Sequence, residues 1–242
     1  MSALRLKTVY ILRMDHCANT NAQAAPQVPP PRTWDARLAR RLVTPLKDTR
    51  IVPNHLTTLR LATGLAGAAC LAMGDFAWTN AGALLIVLSN FIDHTDGELA
   101  RISGKSSRFG HLYDLASDAL VTVALFVSMG IGIARPGESI FAMPVALGAI
   151  AGVAVALIFY LRMRIESIAG KAGTRQAFAG GFETEDVLYL LPLVTLAHGI
   201  EPFIDAAAIG APLFAVWVTF DYWRVVRRRR PSQQAAELRM SR

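Results

Sequence analysis

The chain has 242 residues, of which 53% are hydrophobic, and its formal net charge is +7. The apolar residues are gathered into blocks of about twenty residues, the length that a helix needs to cross a bilayer. This distribution argues against a soluble domain and predicts an all-α polytopic membrane protein. The cations stand in the connections between the blocks, so no nucleic-acid partner is expected. The two cysteines, Cys17 and Cys70, support neither a disulfide framework nor a zinc site.

The segment before the first apolar block is predicted to have two parts. Residues 1–32 contain no continuous apolar core of the kind found in a signal peptide and become rich in Ala and Pro, so a flexible tail is expected. Residues 33–48 mix Trp and Leu with Arg and Lys, a composition that predicts an N-terminal interfacial amphipathic helix. A solvated basic linker is the alternative.

Six transmembrane helices are predicted after this segment. With the interfacial helix they form one membrane domain over residues 33–230, and residues 231–242 are predicted to be a C-terminal tail. The spans are expected at residues 55–74, 77–101, 111–134, 140–163, 184–200 and 203–223.

The charges in the connections predict the orientation. Lys and Arg cluster before the first span, after the second, after the fourth and after the sixth, whereas Arg135 is the lone cation on the other side. By the positive-inside rule both termini are cytoplasmic, and the expected location is the bacterial inner (plasma) membrane. The run Arg227–Arg230 is expected to face anionic membrane lipids, and Arg60 is predicted to reach the headgroups by snorkelling.

Four aspartates stand where the second and third spans meet the cytoplasm: Asp93, Asp96, Asp114 and Asp118. The first two are three residues apart and the last two are four apart, so each pair shares a helix face. The two spans are expected to be neighbouring antiparallel helices, and such a pair with carboxylates at one depth is a known way to build a two-cation site. Oxygen ligands favour magnesium, manganese or calcium over zinc. A structural polar cluster is the alternative.

Small residues accompany the carboxylates. Gly97, Ala100 and Gly110 leave room where a phosphate-bearing group can approach the backbone, and Arg101 lies about one turn past Gly97, where it can meet a phosphate. Close helix packing in lipid explains the glycines equally well.

These residues follow the pattern D-x2-D-G-x2-A-R-x8-G-x3-D-x3-D from Asp93 to Asp118, with all eight fixed positions present. The pattern resembles the signature of the CDP-alcohol phosphotransferase (CDP-alcohol phosphatidyltransferase) family. The wider resemblance covers residues 33–230 and includes the Pro-Asn-x-Leu-Thr sequence at residues 53–57. It implies a six-helix membrane bundle, a homodimer and an active site open to the cytoplasm.

The resemblance also implies roles for the motif residues. Two ions, Mg²⁺ or Mn²⁺, would be held by Asp93, Asp96, Asp114 and Asp118, and Asp118 would also act as the general base. The CDP moiety would be bound by Gly97, Ala100, Arg101 and Gly110. An acceptor alcohol, deprotonated towards Asp118, would attack the phosphorus distal to cytidine, and CMP would leave.

The donor and the acceptor stay open between two branches of the family. One branch uses CDP-diacylglycerol with a polar acceptor such as glycerol 3-phosphate, inositol phosphate or serine, and this branch is favoured. The other moves a choline or ethanolamine headgroup from its CDP ester to a lipid. A phosphorylated acceptor could be bound by the cations that follow the fourth span, Arg162, Arg164, Lys171 and Arg175, which otherwise form an ordinary positive-inside loop. A divalent-cation transporter is the non-enzymatic alternative.

Overall fold

The computed structural model describes residues 33–134, 143–169 and 188–240, with side chains as far as Arg227. The regular structure in these ranges is helical, which confirms the predicted all-α class. The α-helices are α1 (Trp34–Val43), α2 (Pro53–Ala72), α3 (Phe76–Ser103), α4 (Arg108–Ile133), α5 (Met143–Ala169), α6 (Leu191–Leu196) and α7 (Ile200–Met240). The predicted tail 1–32 lies outside the described residues, and the segment predicted as a C-terminal tail continues α7 as helix to Met240.

Among the described helices, α3, α4, α5 and the Ile200–Arg227 part of α7 are long and apolar enough to cross a membrane. Helices of this length and composition indicate an integral membrane protein. Helix α2 coincides with the predicted first span. Polar residues in its first half lower its mean hydropathy, so it is not among these four helices. The predicted fifth span begins outside the described residues, and its described part contains the six-residue α6 and a turn at His198. The count of six spans therefore stays a prediction.

Helix α2 lies against both acidic helices. It packs along α3 and along α4, whereas α3 and α4 make few contacts with each other in the described part of the chain. The expectation that the second and third spans adjoin directly is corrected by this arrangement. Buried apolar side chains of the three helices, including Leu71, Ile86 and Leu125, form the core between them.

Glycines allow the closest approach of α2 to α3. A Cβ added to Gly82 would stand 2.7 Å from the carbonyl oxygen of Gly67, so the two backbones nearly touch there. Small residues at helix crossings are the usual means of tight packing in lipid. This contact fixes the separation of the two helices and, towards the ends that carry the motif, the distance between the polar residues of each helix.

The connection between α3 and α4 is a turn of residues 104–107 with a cap at each end. Gly104 has φ +66°, a left-handed conformation that glycine adopts without strain at a helix C-terminus. Ser107 caps the start of α4, where its hydroxyl accepts a hydrogen bond from the Gly110 N–H at 2.9 Å. Because α3 ends and α4 begins within this short turn, the two halves of the motif lie at the same end of the helices.

Candidate active site

Three of the four aspartates converge. Carboxylate oxygens of Asp93 on α3 and of Asp114 and Asp118 on α4 all lie within 4.8 Å of one another. Oxygen ligands stand roughly 2.0–2.6 Å from Mg²⁺ or Ca²⁺, so two ligands of one ion are at most about 4–5 Å apart. The three side chains are 28–37% exposed and accessible from outside. A divalent metal fits this donor set.

Arg60 of α2 occupies the centre of the same cluster. Its Nη1 lies 3.0 Å from Asp93 Oδ1 and 3.4 Å from Asp114 Oδ1, and its Nη2 donates to Asp118. The side chain is buried, so the prediction that Arg60 snorkels to the headgroups is wrong. The physical reason is that α2 lies against both acidic helices, where clustered carboxylates require a cation nearby.

A signal for this placement was present in the sequence. The residues of α2 that turn inward recur at alternating spacings of three and four: Thr57, Arg60, Gly64, Gly67 and Leu71. Spacing of this kind marks one face of a helix. Arg60 stands on that small and polar face, and the stripe predicts its inward orientation better than the position near a span end does.

Asp96 has a separate environment. It is buried, and its Oδ2 accepts a hydrogen bond from the Thr57 hydroxyl at 2.7 Å, with no part in the group of three converging carboxylates. Asp96 and Asp114 both line a cavity of about 250 Å³ between the starts of α2 and α4 and the end of α3. The cavity therefore connects Asp96 with Asp114, one of the three converging aspartates.

The four residues predicted to contact CDP line this same cavity: Gly97, Ala100, Arg101 and Gly110. A Cβ added to Gly97 would meet no described atom within 4 Å, so this glycine leaves open space instead of packing against a helix. Gly110 differs, because a Cβ there would stand 2.7 Å from Asn54 Oδ1. Asn54, which the sequence reasoning did not single out as a site residue, thus closes the cavity from the start of α2.

We expect Thr57→Val to destabilise the protein by about 1–3 kcal/mol, because the substitution leaves a buried carboxylate oxygen without its donor. The matched control is Thr58→Val, since the Thr58 hydroxyl contacts Tyr113 Oη (3.1 Å) at an exposed position. Thermal unfolding in detergent would measure both. Equal losses for the two variants would contradict the importance of the Thr57–Asp96 bond.

Helix α1 docks on α3 through a second buried carboxylate. Asp35 Oδ2 lies 2.8 Å from His94 Nε2 and accepts a hydrogen bond from Tyr189 Oη at 3.2 Å. Burial tends to raise the pKa of Asp35, but hydrogen bonds from Thr33, Ala36 and Tyr189 and the charge of His94 outweigh it and hold this pKa below its usual value. His94 adjoins Asp93, so this contact ties α1 to the helix that carries the motif.

The predicted acceptor cations lie apart from the cavity where they are described. The Arg162 guanidinium stands 5.2 Å from the centre of the Phe214 ring of α7, and Arg164 is exposed. Lys171 and Arg175 lie outside the described residues. Their role with an acceptor stays a prediction.

Residues 50–221 match the family model of the CDP-alcohol phosphatidyltransferases. The chain belongs to this family. The Rubrobacter xylanophilus bifunctional IPC transferase and DIPP synthase is 30% identical over 174 residues, which are 72% of this chain and 35% of that protein. The Cutibacterium acnes phosphatidylinositol phosphate synthase is 29% identical over 140 residues, 57% of this chain and 64% of the relative. The chain thus spans about a third of the first relative and just under two thirds of the second.

A solved structure has a similar fold. The crystal structure of the Mycobacterium tuberculosis phosphatidylinositol phosphate synthase with CDP-DAG bound aligns with a TM-score of 0.50 and 25% identity, covering 79% of this chain and 92% of that one. In the present chain, itself a member of the CDP-alcohol phosphatidyltransferase family, the motif residues that line the cavity are Asp96, Gly97, Ala100, Arg101, Gly110 and Asp114. The remaining two, Asp93 and Asp118, complete the carboxylate cluster with Asp114.

Proposed function

We propose that the protein is a phosphatidyltransferase of phospholipid synthesis that moves a phosphatidyl group from CDP-diacylglycerol to an acceptor alcohol and releases CMP. The observation that carries this proposal is the convergence of three carboxylates within 4.8 Å, next to a cavity lined by small residues and Arg101. The choice of donor is supported by the fold similarity to the relative that was crystallised with CDP-DAG.

The site would divide its tasks between the cluster and the cavity. Two Mg²⁺ or Mn²⁺ ions would be held by Asp93, Asp96, Asp114 and Asp118; when bound, they supply positive charge to the diphosphate and to the departing CMP. The CDP moiety would lie in the cavity, against the open space at Gly97 and within reach of the Arg101 guanidinium.

Asp118 is the proposed general base. The oxygen of the acceptor hydroxyl attacks the phosphorus distal to cytidine, its proton passes to the Asp118 carboxylate, and the bond from that phosphorus to the CMP oxygen breaks. Arg60 donates to Asp118 and thereby holds the carboxylate in one orientation. The side chain is partly exposed, so an acceptor can reach it.

The proposed membrane arrangement follows the sequence. Residues 33–230 would form a six-span domain of the bacterial inner membrane, with the site and both termini cytoplasmic, and the protein would act as a homodimer. An interfacial position of residues 33–48 is supported by α1, whose Trp34, Leu38 and Leu42 are exposed. Arg224 and Arg227 stack on the rings of Phe220 and Trp223 at 4.3 and 4.4 Å, as expected where arginines leave the apolar layer.

The deciding experiment supplies the purified protein with radiolabelled CDP-diacylglycerol, Mg²⁺ and one acceptor at a time: inositol phosphate, glycerol 3-phosphate or serine. We expect CMP release that requires the donor, the metal and one of these acceptors. A parallel reaction contains CDP-choline or CDP-ethanolamine with diacylglycerol. CMP release in that reaction alone would overturn the choice of donor, and no release with any CDP-alcohol would overturn the activity.

The acceptor is proposed to be a phosphorylated alcohol. Arg162 and Arg164 lie near the end of α5, and with Lys171 and Arg175 they would provide a cationic surface for its phosphate. The similarity to a phosphatidylinositol phosphate synthase supports this choice. Faster CMP release with serine than with either phosphorylated acceptor would contradict it.

We expect Gly97→Ala to stabilise the fold slightly and to weaken CDP binding several-fold. Alanine is favoured over glycine inside a helix by about 1 kcal/mol, and the added methyl group meets no described protein atom but enters the proposed nucleotide space. The matched control is Gly210→Ala on α7, where a Cβ also meets no described atom within 4 Å. Both variants should unfold at the wild-type temperature or above. Unchanged CDP binding by Gly97→Ala in calorimetric titration would contradict the placement of the nucleotide.

A further inference from the structure

A buried carboxylate beside the cavity has no role in the proposed reaction. Glu98 of α3 is 1% exposed, although it follows the cavity-lining Gly97 in the sequence. Two arginines bind its two oxygens: Arg40 Nε lies 2.6 Å from Oε2, and Arg101 Nη1 donates to Oε1. A carboxylate at such a position costs several kcal/mol unless it is paired on both sides. Its place in this chain therefore needs an explanation.

The two arginines differ in location. Arg101 lines the cavity and its side chain is 58% exposed, whereas Arg40 comes from α1 and is not among the cavity residues. Glu98 therefore connects α1 to one cationic residue of the nucleotide cavity. Because Arg40 is already 2.6 Å from Oε2, the carboxylate charge is shared and does not cancel Arg101. The formal charges of Glu98, Arg40 and Arg101 sum to +1. Of the three, Arg101 is the one that lines the cavity.

Contact with Glu98 also restricts Arg101. A free arginine side chain loses up to about 2 kcal/mol of rotamer entropy when a ligand fixes it. One N–H of the guanidinium is held by Glu98, and in the described part of the chain the others have no hydrogen-bond partner, so they can bind an anion. Fixing a binding group before the ligand arrives raises affinity, because less ordering is left for the binding step.

We propose that Glu98 and Arg40 are positioning residues for the CDP donor: Glu98 fixes the Arg101 guanidinium at the cavity wall, and Arg40 balances Glu98 so that Arg101 retains its charge for the diphosphate. This inference rests on the proposed function and deepens it. It makes the interfacial helix α1 a contributor to donor affinity although α1 supplies no cavity-lining residue.

A double-mutant cycle tests the coupling. We expect Glu98→Gln to raise the KM for CDP-diacylglycerol about tenfold, with kcat within about threefold and the KM for the acceptor unchanged. Arg101→Gln should raise the donor KM at least as much, and the double variant should match Arg101→Gln alone, because residues that act as a unit are not additive. A wild-type donor KM for Glu98→Gln, or effects that multiply in the double variant, would overturn the proposal.

A second variant replaces both members of the Arg40–Glu98 ion pair by apolar residues. Arg40→Leu with Glu98→Leu replaces the ion pair by an apolar contact, an exchange that is often neutral for stability. We expect its unfolding temperature to stay near that of the wild type while the donor KM still rises about tenfold. A wild-type donor KM in this folded protein would overturn the proposal even if Glu98→Gln did not fold.

A further control tests whether weaker docking of α1 on α3 would by itself raise the donor KM. Asp35→Asn weakens a different contact between α1 and α3, that of Asp35 with His94, which involves neither Glu98 nor Arg101. It should lower the unfolding temperature and leave the donor KM within about twofold of the wild type. A tenfold rise would mean that docking of α1 alone explains the effect, which would overturn the role of Glu98.

Equilibrium binding of CDP separates this inference from the proposed function. If the wild type binds CDP about tenfold more tightly than Glu98→Gln but releases no CMP from any donor, the activity fails and the positioning role stands. If the wild type releases CMP and both proteins bind CDP equally, the positioning role fails alone. A wild-type protein that does not bind CDP would overturn both.

Discussion

Asp118→Asn is expected to lower the rate of CMP release by about 10²–10⁴-fold, the usual loss when a general base is removed. An amide cannot take the proton of the acceptor hydroxyl, but its oxygen can still accept the hydrogen bond that Arg60 donates to Asp118. The variant should therefore fold, with an unfolding temperature close to that of the wild type. Initial rates at saturating donor and acceptor would measure the loss.

The matched control for this variant is Asp205→Asn, because Asp205 is an exposed carboxylate of α7 that does not line the cavity. Its rate should stay within about twofold of the wild type. A rate for Asp118→Asn within a few-fold of the wild type would remove Asp118 from the proposed role and leave the carboxylate cluster without an assigned base.

Arg60→Leu is expected to destabilise the metal-free protein by about 1–3 kcal/mol, less than the roughly 3–5 kcal/mol for a fully buried pair, because the three carboxylates are about a third exposed. Three carboxylates within 4.8 Å of one another would then lack the guanidinium that lies among them. Added Mg²⁺ or Mn²⁺ should restore much of this loss, because a bound divalent ion stabilises the folded state by mass action. The gain in unfolding temperature on metal addition should be larger in the variant than in the wild type.

Unfolding in detergent, in chelator and then in increasing metal, would measure both effects. Arg224→Leu is the control, since Arg224 is exposed and stacks on Phe220 at 4.3 Å. It should change the unfolding temperature little and leave the metal response as in the wild type. An Arg60→Leu protein as stable in chelator as the wild type would show that the carboxylates do not need this cation.

The sequence predicted the carboxylate cluster well because helical spacing is a local property. Asp114 and Asp118 are four residues apart, so any helix through them brings both side chains to one face. The partner Asp93 followed from the shortness of the loop, which keeps the end of α3 level with the start of α4. The structure brings these three together, and it adds a hydrogen bond from Thr57 to the fourth, Asp96.

The role of Arg60 was not predicted, because periodicity assigns a residue to a face without saying which helix that face meets. Position near the end of a span favoured snorkelling, but packing of α2 along both acidic helices turned the side chain inward. Glu98 was missed for a related reason. It stands at a variable position of the motif, and its significance depends on Arg40, which is 58 residues away and belongs to another helix.

The contact of Gly67 with Gly82 has a consequence for the chemistry some distance away. Seven residues separate Gly67 from Arg60, which is roughly 10 Å along a helix. A methyl group added at this crossing would push α2 and α3 apart. It would thereby also widen the gap between Arg60 and Asp93, which lie towards the ends of these helices that carry the motif. The alignment of the proposed active site would thus depend on two glycines that have no side chain and do not line the cavity.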